Sequence, residues 1–332
     1  MPHSSLYKPH AHSLWRQKLP GIKSNILLGE SSPRPSVFIA KAQDYSCNIY
    51  EILRRGMKEL GLGKQEVSGK RILLKPNLME PHAQHSHITT HPYVVQAAAE
   101  AFLSLGAARV VVAEGSGNCR DVHFVLEESG LGDVLTQERL PFVDCNDAPI
   151  YSVNNLGGLT SLEKLWIPQE LLQVDMVVSV AKMKTHHWAG VTLSMKNLFG
   201  LMPGIIYGWP KNVLHSVGIE PSILDIAATV RPDFTIVDGI VGMEGDGPIL
   251  GDPISSGVIV MGHSAVAVDA TCCRIMGIDP EKIGYLQAAD NWLGVIDENK
   301  IKQCGESISN VFHEFVLLDF IPSQYGVRLV RK

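Results

Sequence analysis

Apolar and polar positions alternate along this chain with two different periods. The short apolar runs SVFIAK (36–41), KRILLKP (70–76) and RVVVAE (109–114) are bounded by polar or turn residues and predict buried strands. Between them, NIYEILRRGMKEL (48–60) and PYVVQAAAEAFLSLG (92–106) carry helical spacing. Gly61 follows the first helix, while Pro92 opens the second and Gly106 closes it. After a less regular stretch at 143–168, strands are predicted at DMVVSVAK (175–182), DFTIVDG (233–239) and SGVIVMG (256–262), and helices at PSILDIAATV (221–230) and AVAVDATCCRIMG (265–277).

Strands that alternate with helices of this length pair in parallel through crossover helices. The expected fold is therefore α/β: two lobes, mainly parallel doubly wound sheets flanked by helices, with a ligand crevice between the lobes. The first lobe is expected over 36–155 and the second over 156–332. Residues 1–35 mix Pro, Ser and His without periodicity and predict an extended N-terminal arm. No repeat of fixed period and no low-complexity tract is present, which excludes a solenoid.

Composition narrows the function classes. With 332 residues, 45% of them hydrophobic, a large core can form. A formal charge of -5 and a pI near 6.2 argue against a nucleic-acid surface. The six cysteines have neither the density nor the spacing of a disulfide framework or zinc knuckle, and are expected to be reduced. No apolar run reaches the ~20 residues that span a bilayer, and the N-terminus lacks a secretory pattern. A cytoplasmic protein without membrane contact is expected.

The densest chemistry lies in KMKTHHWAGVTLSMKNLFGLMPG (182–204). Because a buried strand precedes it, Lys182, Lys184, His186 and His187 are expected at the strand's carboxyl end, where open α/β sheets bind ligands. His186 suits acid/base work and the lysines suit an anion; a solvated loop is the alternative. Lys196, set in an apolar run, must snorkel, pair or serve as a perturbed nucleophile. His215 could ligate a metal or cap a helix.

Other segments offer further candidates. Lys75 ends a predicted strand with Pro76 and Asn77 behind it, which suits anion binding. His82, His85, His87 and His91 could gather a metal with Glu80, or form a solvated loop. Gly115, Ser116 and Gly117 could form an amide nest for phosphate or carboxylate, with Arg120 nearby. Asp238, Glu244, Asp246 and Asp252 lie in a glycine-rich acidic stretch whose carboxylates would bind hydroxyls, Mg²⁺ or the lysines, or merely form a surface turn. Asp269 should be paired if buried, with Lys196 and Lys184 as candidate partners, whereas Cys272 and Cys273 fit a core role. No nucleophile elbow, P-loop, zincin or thioredoxin motif is present.

The ordered set KPN, THPYVV, the 182–204 stretch, IVDGIVGMEGDGP and AVAVDATCCRIMG resembles the prokaryotic family called domain of unknown function 362, over roughly residues 70–280. Many of its members carry ferredoxin-type cysteine repeats. This chain has none, so no iron-sulfur cluster of its own is expected. HHWAGVTLSMK followed by Pro-Gly is also distantly similar to nickel-dependent lactate racemases. That resemblance implies a catalytic role for His186, a cofactor-bearing role for Lys196 and a metal-ligating role near His215. The racemase's second catalytic histidine has no counterpart here, which leaves one-base proton or hydride chemistry.

The combined expectation is an enzyme, racemase-like or an oxidoreductase, acting by acid/base or redox chemistry on a small anionic organic substrate. His186, Lys196 and Lys184 would carry the reaction. Lys75, Asn77, Gly115, Ser116, Gly117, Lys182 and Asn197 would hold substrate or a phosphate-bearing cofactor, and His215 and His187 a divalent metal, by resemblance a nickel-pincer-type cofactor. A homodimer is the expected assembly. The alternative is a non-catalytic metal- or anion-binding accessory protein linked to electron-transfer enzymes.

Overall fold

The computed structural model describes residues 34–80, 87–117 and 121–330. The arm expected over 1–35 falls almost wholly outside them, as do His82, His85 and Arg120.

The protein is a mixed α/β molecule with one large, mainly parallel sheet flanked by helices. Its strands are β1 (Ser36–Lys41), β2 (Arg71–Pro76), β3 (Arg109–Glu114), β4 (Phe142–Asp144), β7 (Met176–His186), β8 (Gly190–Thr192), β9 (Phe234–Glu244), β10 (Asp252–Ile254), β11 (Val258–Gly262) and β12 (Lys302–Gly305). A separate two-stranded antiparallel hairpin, β5 (Ile150–Asn154) and β6 (Lys164–Pro168), occupies the stretch that shows no clear period. The sheet runs β12-β1-β11-β9-β7-β2-β3-β4, with β8 and β10 paired to β7 and β9. Both halves of the chain enter it, so the predicted lobes are joined by continuous pairing of β2 with β7. Strand β11 is antiparallel to both β1 and β9, and the short strands β8 and β10 pair antiparallel with β7 and β9; the other pairings of the sheet are parallel.

Both sheet faces are buried, as the near-continuous apolar runs require. Ile72, Leu74, Val110, Val112, Val178 and Val180 pack on one side, where Leu53, Val94 and Ala98 of helices Ile49–Glu59 and Pro92–Ser104 cover them. The alternate residues Leu73, Val111, Val177 and Ala181 face the other side, under Ile223 and Val268 of helices Ile219–Val230 and Ala265–Ile275. No helix among the described residues is long and apolar enough to cross a membrane.

The strand expected to end at Lys182 continues to His186, and all of its residues are buried. The sequence KMKTH is therefore strand rather than loop. Lys182, Lys184 and His186 continue the alternation of Val178 and Val180, with β8 and β9 pairing alongside. That extra pairing lets the strand carry two lysines into the interior.

Candidate functional site

The parallel strands β2, β3 and β7 end beside a cleft of about 190 Å³ lined by groups from residues 75 to 249. At its floor, the Lys75 ammonium pairs with the Glu114 carboxylate. It also donates to the Pro76 carbonyl at 2.7 Å and to Asn197 Oδ1 at 3.0 Å. Glu114 accepts the amides of Leu78 (3.1 Å) and Gly115 (2.9 Å). Asn197 donates to the Lys75 carbonyl and to Ser179 Oγ, both at 3.0 Å. Burial drives the Lys75 pKa down and the Glu114 pKa up, while each partner's charge opposes the drift. A buried pair with its remaining valences met in this way is a rigid platform.

Gly200 marks how closely the backbone approaches that pair. A Cβ there would overlap Glu114 Oε1 and lie 2.6 Å from Lys75 Nζ, so no side chain fits.

Lys196 sits above the floor on the short helix Ser194–Asn197. The start of that helix is fixed by Asp269, which accepts the Ser194 and Met195 amides at 2.8 and 3.0 Å. Asp269 is thus paired with backbone rather than with the expected Lys196 or Lys184. Burial raises its pKa to about 7 against those hydrogen bonds. The Lys196 ammonium lies 3.9 Å from the centroid of the Phe199 ring and lines the cleft. Among the described residues no carboxylate or hydrogen-bond acceptor holds it. Burial, reinforced by Lys75 and opposed by Glu114, lowers its pKa to about 7.

Three imidazoles and an indole complete the wall. His186 is 4% exposed, and its Nδ1 accepts the amides of Trp188 (2.9 Å) and Ala189 (3.2 Å). Burial, then the charge of Lys196, pushes its pKa well below the ordinary histidine value. His215 is half-buried, with Nδ1 3.1 Å from the Lys211 carbonyl; burial lowers its pKa to about 4. His187 faces Asp246 at 3.6 Å, a partly exposed contact of small energetic weight.

Of the residues expected to form the site, the cleft gathers Lys75, Asn77, Gly115, Gly117, His186, His187, Lys196, Asn197 and His215. Lys182, Lys184 and Ser116 lie outside its lining. Lys182 pairs with Asp238 at 2.8 Å and donates to Tyr45 at 2.8 Å. Lys184 donates to Asn77 Oδ1 (2.9 Å) and to the carbonyls of Ile88 (2.7 Å) and Pro248 (3.2 Å). Burial and neighbouring cations push the Lys184 pKa well down, yet three acceptors match the three protons of an ammonium. Ser116 is buried, and its carbonyl accepts from Asn146 at 3.2 Å. The Gly115 amide is committed to the Gly200 carbonyl (2.8 Å) and to Glu114, so it does not point into an anion nest.

Several other candidates have structural roles. His91 caps the helix Pro92–Ser104 and stacks on Tyr45, with ring centroids 3.7 Å apart. Glu244 accepts the Val316 amide at 2.8 Å, and Cys272 and Cys273 are buried in the core. No group of three or more His, Cys, Asp or Glu among the described residues could hold a metal ion. The Trp188 indole packs against both His187 and His215, with centroids 4.8 and 5.0 Å apart. The described residues thus supply no chelating cluster of three or more such side chains for a divalent metal.

Sequence reasoning missed Glu114, Thr192 and Lys211. Glu114 ends β3 as Lys75 ends β2, so the strand-end rule that selected Lys75 would have found it. Thr192 has a buried hydroxyl without a hydrogen-bond partner. Lys211 lines the cleft with a left-handed backbone, φ 71°, and its ammonium meets Asn146 Oδ1. Burial lowers its pKa to about 8 against the charge of Glu114. No local signal announces that conformation for a lysine.

Sequence comparison matches residues 72–274 to the profile of a family described as a domain of unknown function (DUF362), the one the five motifs resemble. A thylakoid-associated protein of Synechocystis sp. (strain PCC 6803) is 28% identical over 263 residues, which is 77% of this chain and 78% of that one. Two solved structures, each 14% identical, are also similar. A protein from Thermotoga maritima gives a TM-score of 0.42 over 70% of this chain and 59% of its own. The lactate racemase apoprotein from Thermoanaerobacterium thermosaccharolyticum gives 0.39 over 76% and 59%. This chain thus spans less than two thirds of either of those structures.

Proposed function

The chain belongs to the domain of unknown function (DUF362) family, and because every residue lining the cleft falls within the matched region, we propose that this cleft is the active site of an enzyme acting on a small anionic organic substrate. Lys196 holds the anion, and the imidazole pair that shares the lining serves proton transfer at a carbon near it. The observation that carries this reading is the Lys196 ammonium, which lines the cleft and, among the described residues, meets the Phe199 ring but no oxygen. The other lysines that line the cleft, Lys75 and Lys211, each already have an oxygen partner. A cation left this way in a shielded site is complementary to a ligand carboxylate. The committed Gly115 amide and the adjacent Glu114 favour a carboxylate over a phosphate-bearing cofactor. Acid/base chemistry is favoured because two shielded imidazoles share the lining with that cation.

The test uses the purified full chain with pyruvate, lactate, oxaloacetate and malate in deuterated buffer. Deuterium entering at C2 of lactate or malate, or at C3 of pyruvate or oxaloacetate faster than in buffer alone, read by NMR, is the expected result, with carboxylate binding weakened in Lys196→Met. If none of the four binds by calorimetry at millimolar concentration, the reading fails.

A further inference from the structure

The two shielded histidines meet the backbone in opposite senses. His186 Nδ1 receives two amide N–H groups, from Trp188 at 2.9 Å and Ala189 at 3.2 Å. A nitrogen that accepts two donors carries no proton, so the ring proton sits on Nε2. His215 Nδ1 lies 3.1 Å from the Lys211 carbonyl. A carbonyl oxygen only accepts, so this Nδ1 carries the proton and Nε2 keeps its lone pair. Neither Nε2 meets a hydrogen-bond partner among the described residues, and both residues line the cleft.

We propose that the cleft has a fixed proton polarity, in which His186 presents an N–H donor and His215 a bare acceptor nitrogen. This deepens the reading of the cleft as a carboxylate site and rests on it for the reaction, although not for the tautomers. Each tautomer is held by main chain, so it persists without ligand. Reversing His186 would set an N–H against two N–H groups, and reversing His215 would set a lone pair against a carbonyl. Lowered pKa values keep both rings neutral, as a donor–acceptor pair requires.

The substrate class follows from that polarity: a carbon acid whose C–H faces His215 and whose carbonyl or carboxylate oxygen faces His186. The C–H bond breaks as an N–H bond forms at His215 Nε2. The electron pair moves into the enolate, whose oxygen accepts the His186 Nε2–H bond, and the reverse step returns the proton to carbon. His215 is thus the proton acceptor, and His186 stabilises developing charge without changing protonation. The pattern differs from the equal assignment of both rings to general acid/base work.

The test is ¹⁵N NMR of the histidine-labelled full chain, with signals assigned through His186→Gln and His215→Gln. The expected spectrum shows the Nε2–H tautomer for His186 and Nδ1–H for His215. Carbethoxylation at neutral pH, mapped by mass spectrometry on the wild-type chain, gives a second measurement that does not depend on variants. His215 should be labelled and His186 spared, because its bare nitrogen faces backbone amides. Identical or reversed tautomers, or labelling of His186 in preference to His215, would overturn the proposal. Deuterium exchange is scored separately, so a silent substrate panel counts against the carboxylate reading and leaves the tautomer result standing.

Discussion

Lys182 and Lys196 come from one 23-residue stretch, the first fully buried and the second partly exposed at the cleft, yet only the first has its charge answered by oxygen. Lys182 is fully buried, with Asp238 and Tyr45 oxygens each 2.8 Å away. Tyr45 donates to Asp238 in turn, and the His91 amide reaches the same carboxylate at 3.0 Å. This cluster lies between β7 and β9, and neither Lys182 nor Asp238 is among the residues that line the cleft. Around Lys196 the neighbours are an aromatic ring, two imidazoles and open volume. The comparison teaches that burial of a cation does not mark a site. What marks it is hydrogen-bonding capacity left unspent beside a space that a ligand can enter.

If the Lys182 cluster is structural, breaking one side of it should cost the most. Asp238→Asn leaves an unanswered buried ammonium and should lower unfolding stability by ~3–5 kcal/mol in urea titration, whereas Lys182→Met with Asp238→Leu should recover much of that loss. Carboxylate affinity per folded molecule should not change in either. A single variant as stable as wild type would dissolve the contrast between the two regions.

Gly200→Ala attacks the platform beneath Lys196. With Glu114 Oε1 and Lys75 Nζ in the way of a Cβ, one methyl must displace a buried ion pair. A loss of ~1–3 kcal/mol is expected from the overpacking. Carboxylate binding should weaken with it, since Lys75 also holds Asn197 beside Lys196.

Lys196→Met should behave in the opposite way to Asp238→Asn. It removes an incompletely solvated charge that lacks an oxygen partner, so stability should hold or rise slightly. Binding of a carboxylate should fall ~10–100-fold, the worth of one charge-assisted hydrogen bond. Calorimetry of the variant beside its melting curve separates the two effects.

How far the contrast could be read from sequence depends on the element. Periodicity placed β1, β2, β3 and the helices at 49–59, 92–104 and 265–275, because each buries a regular stripe. It cut β7 short because a Lys- and His-rich run after an apolar strand reads as the loop at the strand's carboxyl end, when partners at Asp238 and Asn77 allow both lysines to be buried. Those partners lie 56 and 107 positions away in the chain, so no local window contains them. The hairpin β5–β6 was missed because its burial pattern is irregular. At the site, Lys75, His186 and Lys196 were legible as strand-end or out-of-place polar residues. Their differing states of completion were not, since a sequence names a donor without naming its acceptor.

The smallest effect is the most specific test of the comparison. Lys196 must be protonated to hold an anion, and its pKa of about 7 lies below the ordinary lysine value. As pH rises through 7, the free site loses its proton and carboxylate affinity should fall, by about threefold between pH 6.5 and 7.5. Stability runs the other way. Between about pH 7 and the ordinary lysine value the unfolded chain binds the proton that the folded site has released, so this residue makes stability rise with pH across that window. Lys196→Arg keeps its charge over the whole range and should flatten both slopes, whereas altering the Lys182 cluster should leave the affinity slope as it is. Calorimetric titration of pyruvate at several pH values would measure the first slope. An affinity profile identical in wild type and Lys196→Arg would mean that some other group holds the anion, and the distinction between the two lysines would lose its functional meaning.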